Sequence, residues 1–75
     1  MKEIVKTLAD RYQIVVFWSG EDDAYVAACP DFPGHSAHGP SPDEAVREAR
    51  AALELMIESY LAHEDPLPVP RGVAA

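Results

Sequence analysis

A single cysteine, Cys29, stands in a chain of 75 residues. No intramolecular disulfide can form, and no zinc site built on paired cysteines is possible. Basic residues are scarce as well. Six lysines and arginines are scattered against thirteen aspartates and glutamates, for a net charge of −7. Affinity for a phosphate backbone draws on lysine and arginine, so direct nucleic-acid binding is not expected of this chain. There is no run of about 20 apolar residues to cross a bilayer. The opening MKEIVKTLAD lacks the apolar stretch and small-residue cleavage site of a secretory signal. A cytoplasmic protein without a membrane partner is expected.

What is present suffices for one small domain. Hydrophobic residues make up 48% of the chain, enough to fold. A domain of this size, however, buries only about 60% of its unfolded surface, and the missing stability must come from tight packing or from oligomerisation. The acidity suits a basic protein partner, which it would steer electrostatically. It serves solubility equally well.

Residues 1–11 form an N-terminal segment, in which Ile4, Val5 and Leu8 have the spacing of a short helix. The clearest strand is YQIVVFW (12–18). Tyr12, Ile14, Val16 and Trp18 point one way, and Gln13, Val15 and Phe17 the other. Both faces are largely apolar, which predicts an inner strand covered on both sides or a strand with one face against another subunit. SGEDD (19–23) is a turn, and AYVAAC (24–29) returns as the second strand of an antiparallel hairpin. PDFPG (30–34) breaks that strand, with Phe32 plugging the corner onto the core. HSAHG (35–39) is short enough for a third strand at an edge.

Helix signals then accumulate. Ser41 is placed to accept a hydrogen bond from the Glu44 N–H, with Glu44 able to reach back in a capping box. Pro42 falls at the first helical position, and Asp43 and Glu44 suit the positive end of the helix dipole. The helix runs to about His63. Ala45, Val46, Ala49, Ala52, Leu53, Met56, Ile57 and Tyr60 form its apolar arc. Arg47, Arg50, Glu54 and Glu58 lie opposite, while Leu55 and Leu61 fall outside the arc. DPLPVP (65–70) cannot be helical and runs extended. Residues 71–75 are a tail. The order predicts an α+β fold: a three-stranded antiparallel sheet with one long helix packed on it, a short C-terminal extended strand, and a short N-terminal helix.

Catalytic chemistry finds little footing. His35 and His38 are three apart, which on a strand sends them to opposite faces, and zinc needs three or four converging ligands. Cys29 as a nucleophile would need a neighbouring base, whereas its place at the end of an apolar strand favours simple burial. Of the carboxylates, Asp22 and Asp23 belong to the hairpin tip, and Asp43 and Glu44 to the helix start. Only Asp31 lacks a local structural role, and one carboxylate does not make a two-metal nuclease. No catalytic residue, metal ligand or cofactor is assigned.

The ordered pattern as a whole resembles the HicB-like antitoxin family. The resemblance spans residues 12–70. It rests on Pro30-Asp31-Phe32-Pro33-Gly34, the spacing to Gly39, Pro42-Asp43-Glu44-Ala45 opening the helix, and Pro66-Leu67-Pro68 in the tail. It implies a partial RNase H-like fold, β-β-β-α-β, without catalysis, and a HicA-type toxin as partner, a small basic RNA-cleaving protein that the antitoxin blocks by binding. His35 stands where family members often carry cysteine. The tail ending at Ala75 implies a minimal form lacking a DNA-binding domain. Rival readings are a stand-alone oligomeric interaction domain and a degenerate nuclease using Asp31. Partner contact is expected at Asp31, Phe32, His35, His38, Asp22 and Asp23. A homo-oligomer interface, dimeric or tetrameric, is expected at Val15, Phe17, Leu55 and Leu61.

Overall fold

The computed structural model describes residues 2–71. Helix α1 spans Lys2–Ala9. Strands β1 (Val15–Ser19), β2 (Ala24–Ala28) and β3 (Ala37–Gly39) follow, and helix α2 spans Pro42–Ala62. The strands form one antiparallel sheet in the order β1-β2-β3. The expected α+β architecture is present.

The sheet register sorts its residues onto two faces. Val16 pairs with Ala27, Trp18 with Tyr25, Tyr25 with Gly39 and Ala27 with Ala37. These residues share the face that α2 covers, because residues directly opposite in an antiparallel pair point the same way. The other face carries Val15, Phe17, Val26, Ala28 and His38.

Helix α2 meets the sheet in two different ways along its length. Its first turns approach through Ala45 and Ala49, which pack with Ala27 and are all fully buried. Small side chains allow this, and Gly39 allows it further. A Cβ at Gly39 would lie 2.7 Å from the Ala45 amide nitrogen and 3.0 Å from the Glu44 carbonyl carbon. Only glycine fits beneath the helix start at that distance. Further along, Leu53 and Ile57 enter a larger cluster with Val5, Ala9, Tyr12, Cys29 and Phe32. Phe32 is its hub, edge-on to Tyr12 at 4.8 Å and to Tyr60 at 5.5 Å between ring centres. The expected helix arc is accordingly inward: Ala45, Ala49, Leu53 and Ile57 are buried, with Met56 and Tyr60 packed partly on the core.

Both ends of α2 are capped. Ser41 Oγ accepts from the Glu44 N–H at 3.2 Å, and Pro42 occupies the first helical position. At the far end, the Asp65 N–H donates to the Tyr60 carbonyl and the Glu64 N–H to the Leu61 carbonyl. This is a Schellman motif, which needs a left-handed residue just past the cap. Glu64 supplies it at φ +56, where glycine would be unstrained.

The N-terminal segment is helical, as its spacing predicts, and α1 is fastened to α2 by Arg50. The guanidinium makes an ion pair with Asp10 at 2.8 Å and with Glu54 at 2.9 Å, and it donates to the Lys6 carbonyl at 3.1 Å. Arg50 and Glu54, expected on the solvent face of the helix, are thereby only half-exposed.

Two expectations change. Residues 12–18 are not an inner strand covered on both sides. The strand starts at Val15 and lies at the sheet edge, with Val16, Phe17 and Trp18 exposed at 39%, 51% and 53%. Tyr12 has left the strand to pack on Phe32. Apolar alternation reports which faces are greasy, and strand order is set by partners elsewhere in the chain. The C-terminal run also remains unpaired among the described residues. Pro66, Pro68 and Pro70 remove the N–H donors a ladder requires. The run is held instead by the Tyr12 hydroxyl donating to the Pro68 carbonyl, by Leu67 on the core, and by the Arg71 N–H donating to Asp31. The tail expected over residues 71–75 lies, beyond Arg71, outside the described residues.

Two single substitutions move stability in opposite directions. Gly39→Ala should destabilise by roughly 1–3 kcal/mol, since backbone rather than a yielding side chain blocks the new methyl. Glu64→Gly should stabilise by about 1 kcal/mol by relieving the left-handed position. Urea unfolding followed by circular dichroism measures both; a neutral Gly39→Ala would contradict the close approach.

Candidate functional site

The sequence CPDFPGH folds into two consecutive turns. The Phe32 N–H donates to the Cys29 carbonyl and the His35 N–H to the Phe32 carbonyl, each at 3.1 Å. Pro30 and Pro33 take the second position of their turns, where a fixed φ is favourable. Gly34 takes the third position of the second turn at φ +81, as a type II turn demands. The double turn points Phe32 into the core and carries His35 back beneath the end of β2.

His35 is only 7% exposed. Its Nδ1 accepts from the Cys29 N–H at 3.0 Å, and its Nε2 faces the Ala49 carbonyl at 2.9 Å. The neutral ring with its proton on Nε2 satisfies both partners. The side chain that sequence reasoning left without a structural role therefore joins the end of β2 to the early turns of α2. Cys29 beside it is 1% exposed, and burial pushes its thiol pKa up. A buried thiol held neutral is a poor nucleophile. Tyr12 is raised as well, first by burial and next by the negative charge of Asp31.

Asp31 and Phe32 share this corner with His35. Phe32 is 1% exposed, and Asp31 is partly exposed and accepts from the Arg71 N–H at 3.3 Å. Asp22, Asp23 and His38 gather at the opposite end of β2. Ser19 Oγ donates to Asp22 Oδ2 at 2.9 Å, and the Asp22 N–H donates back to Ser19 Oγ at 3.3 Å. That exchange curls the hairpin tip so that Asp22 lies 3.6 Å from His38 Nε2, across the uncovered face of the sheet. Asp23 takes a left-handed φ of +51 in the same turn. The six candidate contact residues thus divide into an exposed acidic tip and a largely buried corner. A strand of five residues, about 17 Å, separates them.

The candidate interface residues are also dispersed. Val15 and Phe17 lie on the uncovered sheet face, and Leu55 is 67% exposed on α2. Leu61 is partly buried against the main core cluster. Sequence reasoning gave no role to Ser19, which shapes the acidic tip, or to Arg50, which ties the helices together. A serine three residues before an aspartate in a turn is the usable signal for the first. Nothing local marks the second. Among the described residues no three His, Cys, Asp or Glu side chains cluster as metal ligands, and no helix is long and apolar enough to cross a membrane.

Fold and surface together define a small α+β domain with one covered and one open sheet face and an acidic hairpin tip. The chain belongs to the HicB-like antitoxin family: residues 11–75 match the family described as "HicB-like antitoxin of bacterial toxin-antitoxin system". It is also similar to a UPF0150 protein of Synechocystis sp., 38% identical over 47 residues, which cover 63% of this chain and 60% of that relative. The match therefore spans less than two thirds of the relative's length. No solved structure matches the chain.

Two outcomes follow for the corner. His35→Leu should cost about 2–3 kcal/mol, because it leaves the buried Cys29 N–H unpaired; an unchanged urea midpoint would show that the histidine clamp contributes nothing. Stability should also fall at alkaline pH. Cys29 and Tyr12 are both raised in the folded state, so the unfolded chain releases their protons first. Their contribution is fully present below about pH 8.5 and is lost as pH climbs toward the folded values. Urea midpoints at pH 7, 9 and 10.5 measure this, with Tyr12→Phe giving the shallower decline; a flat profile contradicts it.

Proposed function

We propose that the protein is a non-catalytic antitoxin that binds and neutralises a small basic HicA-type RNA-cleaving toxin. The observation that carries this reading is membership of the antitoxin family across residues 11–75. Two physical features support it. A net charge of −7 favours encounter with a basic partner. The carboxylates Glu21, Asp22 and Asp23 are exposed together at the hairpin tip and present negative charge to a lysine or arginine of a partner, although Asp22 also holds Ser19 and lies beside His38.

The site chemistry accords with binding rather than turnover. Asp31, the carboxylate a degenerate nuclease would use, is engaged with the Arg71 N–H. Cys29 is buried and His35 has both ring nitrogens occupied. Partner contact is assigned to Asp22, Asp23 and His38 on the exposed tip. Phe32 and His35 act from within, by holding the corner beside Asp31 in shape. An antitoxin of this kind works where the toxin meets RNA, in the cytoplasm.

Co-expression tests the reading. A toxin encoded beside this reading frame should arrest growth alone and be harmless with this chain, and the two should copurify. Asp22→Lys with Asp23→Lys should weaken the complex at least tenfold in low salt, mainly through slower association. If the neighbouring frame encodes no small basic protein and tagged protein captures none, the antitoxin assignment fails.

A further inference from the structure

The uncovered face of the sheet has the composition of a packed one. In an antiparallel sheet with one side on the core, the other side normally carries polar residues. Here Ser19 and His38 are the only polar positions that the three strands place on it. Its middle row runs Phe17, Val26, His38 across β1, β2 and β3. Val26, between the other two, is 7% exposed, whereas Phe17 is 51% exposed. The face is therefore a closed apolar floor with one aromatic ring standing out from it. An apolar patch with a polar rim marks an interaction surface. The rim at the hairpin end is acidic. Asp22 lies 3.6 Å from His38 Nε2, with the exposed Glu21 and Asp23 beside it in the chain. No lysine or arginine stands on any of the three strands.

We propose that this face docks a basic amphipathic helix of the toxin, with Phe17 as the anchor. The identity of the partner rests on the antitoxin reading above. The shape of the occupant follows from the sheet. Three strands about 4.8 Å apart make a strip about 10 Å wide, which is the diameter of one helix. The opposite face is covered in that way already, since α2 alone contacts all three strands. A helix of about three turns matches the length of β1 and β2. The charge of the occupant follows from the rim. Lysine or arginine flanking its apolar stripe would meet Glu21, Asp22 and Asp23, and that attraction speeds encounter. The Phe17 ring, pressed into the apolar stripe, supplies the holding contact, because aromatic anchors near the centre of an interface carry much of its binding energy. A second copy of this chain fits the face less well, since it brings another net charge of −7 to the same acidic rim.

The small basic protein encoded beside this reading frame is the probe, and titration calorimetry with the full chain at low and high salt measures binding. Phe17→Ala should raise the dissociation constant at least tenfold at both salt concentrations, in a chain that circular dichroism shows to be folded. Asp22→Lys with Asp23→Lys should weaken binding mainly at low salt. Leu55→Lys, on the exposed side of α2, should leave the affinity unchanged. With p-benzoylphenylalanine in place of Phe17, irradiation should crosslink the chain to a helix of the partner that carries lysine or arginine; in place of Leu55 it should not. The crosslink decides the matter if Phe17→Ala fails to fold. Tight binding that Phe17→Ala leaves unchanged overturns the docking face while the antitoxin reading stands. So does a crosslink from position 17 to a strand of the partner, or only to a second copy of this chain. Absence of any binding by the unaltered chain overturns both.

Discussion

The architecture depends on a histidine that connects two backbones. His35 accepts from the Cys29 N–H where β2 has ended and meets the Ala49 carbonyl on α2. The strand end and the helix are brought together through one ring rather than through apolar contact alone. Removing water from a backbone N–H is tolerable only if something replaces it, and here the replacement comes from a side chain six residues further on. The two prolines and Gly34 fix the turns that return His35 to that position. Phe32, turned inward by the same path, then fills the space between Tyr12 and Tyr60.

Around this joint the helix packs through small side chains at its start and large ones further along. At its start, Ala45 and Ala49 over Gly39 and Ala27 bring backbone almost onto backbone. At its end, Leu53, Ile57 and Tyr60 hold a wider gap that Phe32 and α1 fill. Side-chain size thus grows along the buried face of one helix, from alanine at its start to leucine, isoleucine and tyrosine further on. One face is covered and the other left open, and on the open side lie the acidic tip, His38 and Phe17. Val26, between Phe17 and His38 on that side, is nonetheless only 7% exposed. The open face is therefore partly sealed by its own side chains, and the fully unprotected feature is the edge at β1.

Much of this was readable from residue order because the signals are local. Ser41-Pro42-Asp43-Glu44 sets a helix start through bonds made within four residues. Pro33-Gly34 forces a turn through allowed backbone angles. The 3.6-residue arc from Ala45 to Tyr60 names the buried face of α2. Family membership was legible for the same reason, since these punctuating residues carry the resemblance. The acidic tip was legible too, although the Ser19–Asp22 exchange that shapes it was not read. The candidate contact residues were harder. His35 and His38 look alike in sequence, yet one is sealed in the core and the other lies beside Asp22 on the surface.

The sequence by itself determined the elements, their order, the caps of the long helix and the acidity of the surface. Each of these follows from backbone geometry or side-chain chemistry within a few residues. Only the tertiary structure decided which strand is an edge, what His35 holds, and that Arg50 fastens α1 rather than facing water. Those outcomes depend on partners 14 to 44 residues distant, as with His35 to Ala49 and Arg50 to Lys6. A local pattern can state that a side chain is apolar or can donate a proton. Which group lies within about 3 Å of it is settled only when the packed chain brings the two together.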